Sequence, residues 1–268
     1  MARFTIEIEV YSDFICAWCY IGKRALDKAI QLYKTKHPEV EFKLAWKPYL
    51  LSPNAGVSAY QKGAIIQRIF GPRALSIRAR IDRLGEHYGI RFRWEGRTGN
   101  TRDAHKLVLL AMERDATTTT TTTTDADAVT PPCFPNGTSA LFHDNDSSRN
   151  QTTATPHHLL QERTIDHLFA LNFERGADIS SRAVLATAAV DLGLCATEAE
   201  ALAARARAVD ESSAQARRVG VRAVPSYVVQ GRWQVGGMQS EDVWLDVFER
   251  ARTGAMPDAG SGGRAGSE

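Results

Sequence analysis

The sequence is short of cysteine, of net charge and of long apolar runs, and each shortage excludes something. Four cysteines in 268 residues are too few for a disulfide scaffold. Lys plus Arg is 33 against 31 for Asp plus Glu, a formal net charge of +2. That balance gives neither the basic surface of a nucleic-acid binder nor an acidic tail, so no nucleic-acid partner is expected. No stretch approaches the roughly eighteen apolar residues of a membrane-spanning helix, and no membrane partner is expected. Met1 to Glu7 holds one basic residue and no apolar core. No secretory signal is read there, and a cytoplasmic location is expected. Apolar residues at 43% and charged residues at 24% describe an ordinary globular chain.

Apolar periodicity locates the elements. Phe4 to Tyr11 alternates and predicts a strand. About Ala17 to Tyr33 predicts a helix, with Leu26, Ile30 and Tyr33 on one side and Lys23, Arg24 and Lys28 on the other. Val40 to Trp46 alternates again. Helical spacing follows from Ser58, through Ala64, Ile65, Ile69 and Phe70, then Leu75, Ile77, Ile81, Leu84 and Tyr88 before Gly89. Thr101 is placed to cap a further helix. From Asp115 to about Pro156 the composition turns to threonine, asparagine and proline, and a disordered loop is expected. Helical patterns resume at about His157, at Ser181 to Leu192, at Thr197 to Ala208 and at Glu211 to Val219. Ser226 to Val229 and Arg232 to Val235 flank Gln230-Gly231, the spacing of a tight hairpin. Ser240 opens a last helix, with Val243, Trp244, Val247, Phe248 and Ala251 as its buried stripe.

The chemistry is concentrated at Cys16-Ala17-Trp18-Cys19. Cys16 stands where a strand hands over to a helix. First-turn amides are unpaired and the helix dipole is positive there, so a thiolate at Cys16 would be stabilised. Cys16 is therefore the expected attacking thiol, and Cys19, one turn further in, the expected resolving thiol. A zinc site needs more ligands than this pair supplies. Cys133, Cys195, His37 and His105 do not complete a spacing pattern, and no metal is expected. Cys133 reads as an exposed loop residue and Cys195 as a small buried one. His105 reads as a packed or solvated histidine. The Asn136, Asn145 and Asn150 glycosylation patterns read as chance in a Ser/Thr/Asn-rich stretch.

Several motifs together resemble the DsbA family of the thioredoxin superfamily, in its FrnE-like branch, which is related to the 2-hydroxychromene-2-carboxylate isomerases. They are Ser12 to Arg24 around the cysteine pair, Trp46 to Pro53, Asn100 to His105, Gly220 to Pro225, and Gly236 to Gln239. The resemblance implies an α/β thioredoxin-like fold with a helical domain inserted after the second strand. Residues 1–57 and 215–253 would form the thioredoxin-like domain and 58–214 the helical one, interrupted by the loop at 115–156. Residues 254–268 would be a disordered tail. It also implies a cis Val224-Pro225 bond facing the cysteines. Trp18, Val224 and Pro225 would contact substrate, the Val224 backbone pairing with an extended peptide.

The implied activity is thiol–disulfide oxidoreduction on protein or small-molecule disulfides. No bound cofactor is required, and glutathione enters as a redox partner or co-substrate. Ala17 stands where the branch usually has proline. No histidine separates the cysteines as in strongly oxidising DsbA proteins, so a less oxidising pair is expected. Two other readings compete. One is a glutathione-dependent isomerase or transferase, whose relatives carry serine where Cys16 stands. The other is a non-catalytic peptide-binding chaperone module.

Overall fold

The computed structural model describes residues 3–121, 159–194 and 205–255. Its centre is a four-stranded sheet. Strands β1 (Phe4–Ser12) and β2 (Val40–Pro48) run parallel, joined by helix α1 (Ala17–Lys36). Strands β5 (Ser226–Val229) and β6 (Trp233–Gly236) form the antiparallel hairpin that completes the order β2-β1-β5-β6. Between β2 and β5 the chain is mainly helical. It holds α2 (Lys62–Phe70), α3 (Ala74–His87), α4 (Arg102–Thr121), α5 (Leu160–Phe173), α6 (Arg182–Asp191) and α7 (Ala206–Arg218). A two-residue ribbon, β3 (Tyr60–Gln61) with β4 (Arg97–Thr98), ties α2 to the approach to α4. Helix α8 (Glu241–Thr253) packs along α1. This is the thioredoxin-like α/β fold with helices inserted after the second strand.

Burial follows strand chemistry in β1. Ile6, Ile8 and Val10 are buried while Thr5 and Glu7 face solvent, the pattern of a half-covered strand. At the C-terminal end the alternation stops, because Tyr11, Ser12, Asp13 and Phe14 are all buried. Both faces are covered there. Phe14 packs on Phe169 of α5 at 4.9 Å, and Tyr20 of α1 stacks on the same ring at 5.0 Å.

Helix α1 lies tight against β5. A Cβ on Gly22 would meet the Tyr227 hydroxyl at 2.6 Å and Pro225 Cγ at 3.2 Å. The helix can approach β5 this closely because it carries glycine at that point. Helix α8 begins with Glu241, whose carboxylate accepts from Lys28 Nζ at 2.6 Å and from the Tyr88 hydroxyl at 2.5 Å. Burial alone would raise this carboxyl. The Lys28 and Tyr88 hydrogen bonds, with its own backbone N–H, outweigh burial and bring it down to about 2.

Helices α4 and α5 are fastened across the segment between them. The Asp115 carboxylate accepts from the Leu160 and Gln161 amides, both at 2.9 Å. Those amides open α5 and have no partner inside the helix. An aspartate of one helix thus caps the next.

Several sequence expectations need correction. Lys23 is 2% exposed, where the periodicity put it on the solvent side. It forms ion pairs with Asp27 at 2.6 Å and Asp166 at 3.0 Å, so burial is offset by two carboxylates. Val243 and Leu75 are exposed, although both were counted on apolar stripes. The real α8 stripe is Trp244, Val247, Phe248 and Ala251, and Val243 falls one residue outside it. Helix α4 continues to Thr121, past the expected loop start at Asp115. In the hairpin Val229 pairs with Trp233, so the loop is Gln230-Gly231-Arg232 and Arg232 is not in the strand. Gln230 and Gly231 both have positive φ, 52° and 67°. Cys133, Cys195, the three glycosylation patterns and the helical start at Thr197 lie outside the described residues. So does the tail from residue 256.

Two outcomes are expected. Gly22→Ala destabilises the protein by about 1–3 kcal/mol through overpacking, read as a lower denaturant midpoint. Glu241→Gln removes a contribution of about 1–2 kcal/mol at neutral pH. Because the folded carboxyl titrates below its unfolded value, that contribution is complete above the unfolded value and is lost as pH falls toward 2. The stability difference between wild type and variant should therefore shrink on acidification.

Candidate active site

The loop from β1 to α1 carries the site, and three segments hold it. The Ser12 carbonyl accepts from the Tyr49 amide at 3.1 Å. The Phe14 carbonyl accepts from Asn172 Nδ2 of α5 at 3.0 Å. Asp13 is fully buried. One carboxylate oxygen accepts from the Leu51 amide at 2.7 Å, the other from the Thr101 hydroxyl at 2.7 Å. The Asp13 carbonyl accepts from the Cys16 amide at 3.1 Å. The Thr101 hydroxyl thus donates to Asp13 from the entrance to α4. The Arg102 amide there donates to Asn100 Oδ1 at 2.8 Å.

Cys16 is the residue immediately before α1, in extended conformation, and is half-buried. Its carbonyl accepts from the Cys19 amide at 3.0 Å. Its sulfur donates toward the Val224 carbonyl at 3.5 Å. Cys19 is 1% exposed. Burial pushes its thiol well above the ordinary range, and the neighbouring Cys16 sulfur raises it further. The Asp13 amide and the Ser12 hydroxyl pull weakly the other way. Both cysteines are free thiols. One sulfur is thus accessible at a helix N-terminus and its neighbour is buried and held protonated.

The Val224-Pro225 bond is cis. Because Ser226 is registered against Tyr11, Val224 and Pro225 fall beyond the end of β1, beside Cys16. Trp18 is half-buried, with the Arg80 guanidinium 5.6 Å above its ring. The structure therefore brings Cys16, Cys19, Trp18, Val224 and Pro225 into one place. A cavity of about 300 Å³ opens beside Cys16. Its wall includes Trp18, Leu51, Ile65, Ile69, Phe70 and Val224. A larger groove, about 690 Å³, runs beside Arg24, Lys28 and Lys34 and touches none of these residues. Its lining is of mixed charge and holds no cysteine.

Sequence reasoning missed the cavity wall and the Asp13 anchor. Lys62, buried in that wall, donates to the Asn172 carbonyl at 2.6 Å and the Ala177 carbonyl at 2.8 Å. Burial lowers it to about 8, with Asp178 opposing the shift. No periodicity marks such a lysine. Asp13 did carry a signal. It is a carboxylate among Phe14, Ile15 and the cysteines, where a loop to solvent would need no acid. Among the described residues no three His, Cys, Asp or Glu side chains gather as metal ligands. No helix among them is long and apolar enough to cross a membrane.

Comparison with known proteins agrees with this geometry. A stretch of 50 residues is 44% identical to the uncharacterized protein YwbO of Bacillus subtilis strain 168. That match spans 19% of this chain and 22% of the other, about a fifth of its length. The crystal structure of a probable DsbA oxidoreductase from Streptomyces coelicolor superposes with a TM-score of 0.65. It is 20% identical and 97% of each chain is covered. A 2-hydroxychromene-2-carboxylate isomerase superposes at 0.52, with 13% identity over 94% of this chain and 100% of the other. The cytosolic disulfide reductase DsbM of Pseudomonas aeruginosa, solved with GSH, also gives 0.52, with 16% identity over 92% and 99%. These likenesses establish a shared fold. The DSBA-like thioredoxin domain matches residues 7–125 and 141–249, most of the chain, with its one break inside the Thr/Asn-rich stretch, and the protein belongs to that family.

Proposed function

We propose that this protein is a thiol–disulfide oxidoreductase in which Cys16 attacks and Cys19 resolves. The observation that carries the reading is the inequality of the two sulfurs. Cys16 is reachable at the start of α1, and Cys19 is buried with its thiol pushed up. The Cys16 thiolate attacks a substrate disulfide, one substrate sulfur leaves as thiolate, and a mixed disulfide forms. The Cys19 thiol then loses its proton and its sulfur attacks Cys16 Sγ. The Cys16–Cys19 disulfide closes and the second substrate thiolate departs. Substrate is reduced and the protein oxidised; the reverse sequence oxidises a dithiol. The Val224 carbonyl, already 3.5 Å from the Cys16 sulfur, is the backbone group next to which an extended substrate would lie.

The cavity beside Cys16 favours a substrate with an apolar group next to its disulfide, because Leu51, Ile65, Ile69 and Phe70 line it. Glutathione is a reasonable redox partner, since DsbM, which shares the fold, was solved with it. The direction of net flow is set by the reduction potential of the pair against that partner. The presence of both Cys16 and Cys19 speaks against an isomerase that uses serine at the first position.

Three outcomes test this. In glutathione buffers of graded potential, thiol alkylation and mass spectrometry should show Cys16 and Cys19 titrating together as a two-electron couple. Failure to form an intramolecular disulfide at any potential would overturn the reading. Cys16→Ser should abolish turnover, whereas Cys19→Ser should arrest the protein as a mixed disulfide. Ile65→Glu should slow reduction of a phenyl-bearing disulfide relative to glutathione disulfide by about tenfold, measured as a ratio of kcat/KM values.

A further inference from the structure

The cavity beside Cys16 is apolar over most of its wall, but not at its buried end. Leu51, Ile69 and Arg222 on its wall are exposed and mark its mouth. Lys62, Thr98 and Asn172 on the same wall are buried and mark its inner end. Lys62 is 3% exposed. Its ammonium donates to two neutral groups, the Asn172 and Ala177 carbonyls. That leaves one of its three N–H groups without a use. Among the described residues no carboxylate is paired with it. Asp178 acts on it only at a distance. The Asp178 carboxylate is taken up by the Ser58 hydroxyl and by the Ser180 amide and hydroxyl, the latter two at 2.9 and 2.5 Å.

Buried charges in folded proteins are normally paired with an opposite charge. This one is not, and nothing else on the wall balances it. Among the described residues the charged side chains lining the cavity are Lys62 and Arg222, both basic, with no aspartate or glutamate. Thr98 Oγ1 is a second polar atom at the buried end with no hydrogen-bond partner. Its hydroxyl is free to donate. Asn172 Oδ1 is also unpartnered. Its amide is fixed by the hydrogen bond from Nδ2 to the Phe14 carbonyl, so this oxygen is an acceptor and takes no part in holding an anion. The wall thus supplies an ammonium N–H and a hydroxyl, and the group it lacks is an anion that accepts from both.

We propose that this cavity binds a small carboxylic acid with an aromatic or branched apolar body, Lys62 and Thr98 taking the carboxylate and Ile65, Ile69 and Phe70 the body. A substrate of this class carries its disulfide at the other end of the body, toward Cys16. The substrate class rests on the oxidoreductase reading above; the binding of the acid does not.

Size and energetics agree with a small acid. A volume of about 300 Å³ is at the small end of ligand pockets and admits a ring or a branched alkyl group, not a folded segment. The ammonium is already out of water in the folded protein, so binding does not have to desolvate it again. A hydrogen bond between ionised groups in such a setting is short and strong. Arg222 at the mouth adds a longer-range attraction for an anion. A neutral ligand would gain the apolar contacts and would leave the Lys62 charge as it is.

Isothermal titration calorimetry on the reduced, full-length protein tests this with para-(methylthio)benzoate, which has the ring and the acid but no disulfide. It should bind about ten- to a hundredfold more tightly than para-(methylthio)benzamide, the same shape without the charge. Lys62→Met should bring the two affinities together. Thr98→Val should narrow the gap in the same direction, and decides the matter if Lys62→Met does not fold. Equal affinities in the wild type, binding of neither compound, or a preference unchanged in the folded variant overturns the proposal. So does tighter binding of a short peptide ending in phenylalanine, which would assign the site to chain ends. The corresponding aryl disulfides give the second arm. The carboxylate should react with reduced protein faster than the carboxamide by a similar factor, once each rate is divided by its rate with free glutathione. Failure of both disulfides to react while the acid still binds would count against the oxidoreductase reading alone.

Discussion

A single buried carboxylate holds the site together. Asp13 is fully buried, and an unpaired charge in that position would cost several kcal/mol. Its hydrogen bonds to the Leu51 amide and the Thr101 hydroxyl make that burial tolerable. They also fix three parts of the chain to one point: the end of β1, the segment after β2 and the entrance to α4. The Cys16 amide hangs from the carbonyl of the same residue. The position of the Cys16 sulfur relative to β5 therefore depends on contacts made far from it in sequence. Replacing Asp13 with an apolar residue would leave two donors without acceptors and would loosen the loop in every direction at once.

The two sulfurs differ although they are one helical turn apart. Cys16 takes its environment from the end of α1 and from Val224, and Cys19 takes its environment from the core. Glycine at position 22 lets α1 lie against Pro225 and Tyr227, so the helix and the loop before β5 are brought close enough to share the site. Neither arrangement needs an unusual residue at Cys16 itself. Both come from the way the sheet and α1 are packed.

Much of this was legible in the sequence, for physical reasons. Strand β1 alternates cleanly because one of its faces is exposed at first. A cysteine directly after that strand and before a helical repeat locates the thiol without any knowledge of the rest. The Gln230-Gly231 turn marks the hairpin because glycine accepts positive φ. Other features left no local trace. The β3–β4 ribbon is two residues long on each side, too short for any period. Lys23 looks like a surface lysine until Asp166 of α5 is brought to it. Leu75 and Val243 lie on apolar runs that the tertiary packing does not use. The wall of the cavity beside Cys16 comes from α2, the loop after β2 and the turn before β5, and no window of sequence contains it.

The clamp of Asp115 on the first amides of α5 bears on how this chain accommodates its threonine-rich stretch. A carboxylate inside the C-terminal part of α4 holds the start of α5, so the separation of those two points does not depend on the chain that connects them. Lengthening a connection between fixed ends costs only about 0.6 kcal/mol for each doubling of its length. The family match breaks off at residue 125 and resumes at 141, within that same connection. The clamp acts as a socket. It lets genetic additions enter the protein at a point where neither the sheet nor the cysteines register their length.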